Sequence, residues 1–233
     1  IDTFAIVTTY TPQNSSLAYG GLVDWLSLSP DIALLTHQNN GVSLFHVKDE
    51  TFSHFSMNNS SLPTHQFSQM LSLNVIQWLS SNVGLHTFDI HTKEFQHYLF
   101  DPQQNINVVN HITSNSQDHI VLSTNSGVHV FDPLIKRFIK TDFPPLIDNA
   151  NIQATLITDD GVFWSTLKNG VIEYQNNDHN VSWYTEADGL QGNEFNAGVA
   201  YKNSRGLFVF SGLNGITVLD PSRLKKPPIK LQL

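Results

Sequence analysis

The chain carries eleven histidines and no cysteine, so any transition-metal site would have to be built from imidazole and carboxylate alone. His86 and His129 stand 43 residues apart, each two positions after a glycine. That spacing would bring two imidazoles close on neighbouring copies of a repeat. Zinc asks for at least three protein ligands, whereas Ser43, Ile172 and Thr217 fill the same position elsewhere, so no metal is expected. Asp159-Asp160-Gly161 supplies paired carboxylates, the raw material of general acid–base catalysis. Asp followed by Gly is also ordinary turn chemistry, and that reading is preferred here. The chain has no Gly-x-Ser-x-Gly elbow, His-Glu-x-x-His helix or phosphate-cradling glycine loop. No catalytic residue and no cofactor is therefore expected, and the chain reads as a non-enzyme.

The elements that would position any site follow from a repeat. Gly41, Gly84, Gly127, Gly170 and Gly215 recur at intervals of 43 residues three times over and then 45. One residue after each glycine stand Val42, Leu85, Val128, Val171 and Ile216; four after it stand Phe45, Phe88, Phe131, Tyr174 and Leu219. Asn40, Asn82, Asn125, Asn169 and Asn214 precede the glycines, and Asn and Gly both tolerate the positive φ of tight hairpins. An aromatic segment returns 11 to 14 residues later in most copies, as at Phe52 and Phe55 or Phe95 and Tyr98. Each unit thus holds about four short strands, too few to bury both faces unless the units stack side by side. The predicted fold is all-β, a β-propeller of about five four-stranded blades. Inner strands are expected at residues 23–28, 69–73, 106–112, 152–157 and 195–201. Trp78 and Trp164 share a repeat position, which points to packing between blades.

Composition narrows the partners. A formal charge of −8 and a pI near 5.7 argue against a nucleic-acid surface. No run approaches the roughly 20 apolar residues that span a bilayer, and no signal peptide is evident.

The ends of the chain leave the blade count open. Residues 4–10 (FAIVTTY) read as an outer strand without its partners. Either they complete the last repeat and close a ring, or the chain begins partway through a larger propeller. Residues 1–222 are assigned to blades and residues 223–233 to a linker, marked by Pro227-Pro228.

The last repeat is the most specific stretch. Asp188-Gly189-Leu190, Asn193-Glu194-Phe195-Asn196, the hairpin from Gly206 to Gly215 and the close Leu219-Asp220-Pro221 resemble the final blade of the two-component regulator propeller family. Ser211-Gly212 replaces a double glycine of that pattern, and Leu219 replaces a phenylalanine. The resemblance implies the periplasmic sensor segment of a bacterial inner-membrane regulator, and it favours the reading that the chain is the C-terminal part of a larger, seven-bladed array. An Ig-like domain and a transmembrane signalling module would follow it, ending in a histidine kinase or diguanylate cyclase. It also implies a small-molecule or glycan ligand. A truncated array would expose a radial face and favour a homodimer. The residues expected to face a ligand are those of the inter-strand turns, His37, Asn39, Asn82, Asn125 and Lys168, or of the connector, Asp188, Asn193 and Glu194. A propeller lyase or hydrolase and a protein-interaction scaffold are the alternatives.

Overall fold

A computed structural model describes residues 8–103 and 107–224. The segment 1–7, the start of the expected inner strand near residue 106, and the linker from residue 225 onward lie outside the described residues.

The described residues form five antiparallel sheets, each taking its strands in chain order from inside to outside. Blade 1 holds β1 (Leu22–Ser29), β2 (Ile32–His37), β3 (Val42–His46) and β4 (Thr51–Phe55). Blade 2 holds β5 (Phe67–Leu73), β6 (Ile76–Ser81), β7 (Gly84–Phe88) and β8 (Phe95–Tyr98). Blade 3 holds β9 (Val109–Ser114), β10 (Ile120–Thr124), β11 (Gly127–Asp132) and β12 (Arg137–Ile139). Blade 4 holds β13 (Ala154–Ile157), β14 (Phe163–Leu167), β15 (Gly170–Gln175) and β16 (Asn180–Tyr184). Blade 5 has three strands among the described residues: β17 (Phe195–Lys202), β18 (Phe208–Gly212) and β19 (Gly215–Leu219). The inner strands lie close to their expected positions, and the β-propeller is the observed fold. Among the described residues helix is confined to one turn, α1 (Pro145–Asp148), and a 3-10 turn at Glu186–Asp188.

Four hydrophobic cores join the five sheets, and each draws on two neighbouring blades. Leu34, Leu44 and Phe55 meet Phe67, Leu79 and Phe88 between blades 1 and 2. Trp78 and Leu85 meet Ile120, Leu122 and Phe131 between blades 2 and 3. Val121 and Val130 meet Ile157, Phe163 and Tyr174 between blades 3 and 4, while Trp164 and Tyr184 meet Phe208 and Phe210 between blades 4 and 5. Burying a side chain of this size stabilises by about 1.5–3 kcal/mol, so stacking supplies what one thin sheet lacks.

The chain before blade 1 repeats the connector before blade 2. Asn14 Oδ1 accepts from the Thr11 amide and Asn14 Nδ2 donates to the Thr9 carbonyl; Asn59 does the same with Ser56 and His54. Ser16 Oγ accepts from Phe52 N–H as Ser61 Oγ accepts from Phe95 N–H. Tyr10 packs on Phe45 and Phe52 as Phe55 packs on Phe88 and Phe95. Tyr10 therefore occupies the place that the last residue of an outer strand holds in the next unit.

Two sequence expectations are corrected here. The hairpin asparagines do not carry the left-handed backbone: among the described residues only Asn39 and Asn74 of the asparagines have positive φ, and the glycines take it instead, as at Gly170 (φ 126°). A Cβ on Gly170 would collide with the Tyr184 carbonyl where the outer strand closes against the hairpin. Ile216, whose counterparts Val42, Leu85, Val128 and Val171 are buried, is 65% exposed. Among the described residues its sheet has no fourth strand over it.

Candidate functional site

The turns joining the second and third strands of each blade share one end of the propeller with the connectors between blades. Hydrogen bonds tie the two together: Gly41 N–H donates to the His65 carbonyl at 3.0 Å, Asn82 to Gln66 at 3.3 Å and Asn125 to Val108 at 3.2 Å. All the sequence-predicted ligand residues therefore belong to this connector end. Asn39, Asn125 and Lys168 are exposed at turn tips. Asn82 is half-buried, its Oδ1 accepting from Thr64 Oγ1 at 2.8 Å. His37 is buried beneath its turn with Nε2 2.7 Å from Ser43 Oγ, so it supports the turn and presents nothing to solvent.

The connector residues are exposed but already structurally engaged. Asp188 Oδ2 accepts from the Thr185 amide at 2.8 Å and Thr185 Oγ1 at 3.2 Å, closing a capping box over the 3-10 turn. Asn193 Oδ1 accepts from the Glu186 amide at 2.9 Å, and the Glu194 carbonyl accepts from Gln191 Nε2 at 3.0 Å. The Asp-Gly-Leu connector thus owes its side chains to its own folding.

At the same end the inner strands frame a cavity of about 530 Å³, lined by Asn82, Gln69, Asn110, Val23 and Ala197–Val199. Polar side chains of the inner strands stitch blades together around it. Asp24 Oδ2 accepts from Met70 N–H at 2.8 Å. Gln69 Oε1 accepts from Ile112 N–H at 3.2 Å while its Nε2 donates to the Gly198 carbonyl at 2.7 Å. Asn110 Nδ2 donates to the Ile152 carbonyl at 2.7 Å. Sequence reasoning missed Gln69 and Asn110. No clear signal marked them, because these inner strands, FSQMLSL and VNHITS, mix polar and apolar residues throughout.

Two buried histidines, His37 and His86, each pack against a more exposed one in the same blade. Ser43 Oγ lies between His37 Nε2 and His54 Nδ1, at 2.7 and 3.0 Å, and the Tyr19 ring covers both imidazoles. In blade 2, His86 stacks on His97 at 4.7 Å with its Nε2 2.7 Å from Ser81 Oγ. Burial, and secondarily its histidine neighbour, pushes the pKa down to about 4 for His37 and about 3 for His86. Burial alone lowers His111 to about 4. His129 stacks on Phe100, so it does not meet His86 as the spacing suggested. Among the described residues no three metal-ligating side chains converge.

No family model and no curated protein matches the chain. Solved structures do share its shape. One, described as the extracellular domain of hybrid two component system BT3049 from B. thetaiotaomicron, aligns at TM-score 0.75 and 16% identity over 92% of this chain and 30% of that one. A second, the extracellular domain of BT4673, a one component system from the same organism, aligns at 0.71 and 13% identity over 85% of this chain and 27% of that one. The chain shares its propeller fold with part of these extracellular domains. It spans less than a third of their length. Virginiamycin B lyase from Staphylococcus aureus also aligns, at TM-score 0.62 and 13% identity over 87% of this chain and 67% of the enzyme. At these identities both likenesses concern the fold. No helix among the described residues is long and apolar enough to cross a membrane.

Proposed function

We propose that the chain is the ligand-sensing propeller segment of a bacterial membrane regulator, lying outside the cytoplasm and non-catalytic itself. The observation that carries this reading is the alignment of its five sheets onto sensor extracellular domains. The family-like connector and hairpin of the last repeat support it from the sequence side. The ligand, a small molecule or glycan fragment, is taken at the connector end, where Asn39, Asn125, Lys168 and Glu194 are exposed and where the cavity lined by Asn82 lies. Its occupancy is relayed through the C-terminal residues and an Ig-like module to a downstream kinase or cyclase.

A thermal-shift screen of small molecules and oligosaccharides against the chain tests the binding step. A stabilising ligand is expected to lose at least about tenfold in affinity, or about 1.4 kcal/mol, when Asn39, Asn125 and Lys168 are replaced together by alanine. Undiminished affinity in that variant overturns the site. A reporter fusion of the full-length protein that places this segment in the cytoplasm overturns the sensor assignment.

A further inference from the structure

The end of the propeller opposite the connectors carries grooves between blades. The one between blades 4 and 5 has a volume of about 550 Å³, within the range of small-molecule sites. Trp164 and Glu173 face each other across β14 and β15 on its floor. Trp164 is 1% exposed, and its indole N–H, closed off from solvent beneath the groove floor, has no acceptor among the described residues. Such a group calls for a partner in a native structure. Glu173 is 8% exposed, a buried carboxylate that accepts from Tyr184 O–H at 2.8 Å and Gln175 Nε2 at 2.9 Å and pairs with no cation among the described residues.

The groove walls differ in charge. Blade 4 contributes Asp159, Asp160 and Glu173, and blade 5 contributes Lys202 and Arg205. Lys202 is already held by Asp159 and the Ile157 carbonyl, and Asp220 pairs with Arg223. That leaves Asp160 and Glu173 on one wall and exposed Arg205 on the other. The groove between blades 2 and 3 is an internal comparison. Trp78 there also has an unpartnered indole N–H, but Thr87 stands where Glu173 does, so no buried carboxylate accompanies it.

We infer that the groove between blades 4 and 5 is a second binding site, for a small zwitterion of the α-amino acid or dipeptide class. The ligand ammonium faces Glu173 and Asp160. The carboxylate faces Arg205. This site is separate from the connector-end cavity and does not depend on the sensor reading.

Titration of the chain with L-serine and glycylglycine, followed by calorimetry and tryptophan fluorescence, tests it, with glucose and ethanolamine as controls. Saturable binding of at least one zwitterion at millimolar concentration or below is expected, weakened about tenfold or more by Glu173→Gln and unchanged by Trp78→Phe. Arg205→Ala, at an exposed position that folding does not require, should weaken the zwitterion about tenfold and leave any ethanolamine binding unaltered. Absence of saturable binding by both zwitterions, equal binding of glucose, or zwitterion affinity insensitive to Arg205→Ala overturns the proposal.

Discussion

Three buried imidazoles make the neutral state of this protein conditional on pH. His37 and His111 have pKa values of about 4 and His86 of about 3, each below the ordinary 6.5 because burial penalises the charged ring. The unfolded chain therefore takes up these protons first as the pH falls. The stability linked to each neutral ring is fully present above about pH 6.5. It is lost on descent toward pH 4 for His37 and His111, and toward pH 3 for His86, at about 1.4 kcal/mol per pH unit per group. Urea midpoints measured from pH 7 to pH 4 are expected to decline, and His86→Leu should make the decline shallower by about one proton. An unchanged slope in that variant would show that His86 does not titrate on unfolding. The residue types were plain in the sequence, but their burial was not. The interval of 43 pointed His86 toward His129, whereas the ring it meets is His97, across the strand pair β7–β8.

Within a blade, the hairpin glycine couples the third strand to the outer one. At Gly170 an added Cβ would strike the Tyr184 carbonyl and crowd Trp183 Nε1, whereas at Gly215, in the blade with three described strands, it would meet nothing within 4 Å. Both have positive φ, so alanine strains either backbone by roughly 1–3 kcal/mol. Gly170→Ala adds a collision with main chain that cannot rotate away. Its loss in chemical denaturation should exceed that of Gly215→Ala by about 1 kcal/mol or more. Equal losses would mean that outer-strand packing does not explain the glycine. The period and the apolar columns revealed these hairpins because turn chemistry and strand alternation are local. The role of asparagine was misjudged because Asn and Gly share a tolerance for positive φ, and the approach of the outer strand decides which of the two is needed.

The whole molecule is an open arc among its described residues, with four inter-blade cores for five sheets. Its bare faces show it: Trp25 on β1 is 67% exposed and Tyr201 on β17 is 64% exposed, beside Val23 and Val199. Exposed apolar surface of this kind favours association. Sedimentation of the chain is expected to show concentration-dependent dimers, and Trp25→Ser with Ile216→Lys should shift it toward monomer. A monomer at all concentrations would show that these faces need no partner. By itself the sequence determined the repeat, the strand order, the turns and the absence of a catalytic motif. Each of these depends on residues within one unit or on the same position in the next. Only the tertiary structure decided that Ile216 is bare, that Gln69 and Asn110 stitch the central cavity, and that Trp164 and Glu173 lie in a groove opposite Arg205. Those relations join strands of different blades, or depend on which strands cover a sheet among the described residues, and a one-dimensional pattern carries no record of how two sheets are set against each other.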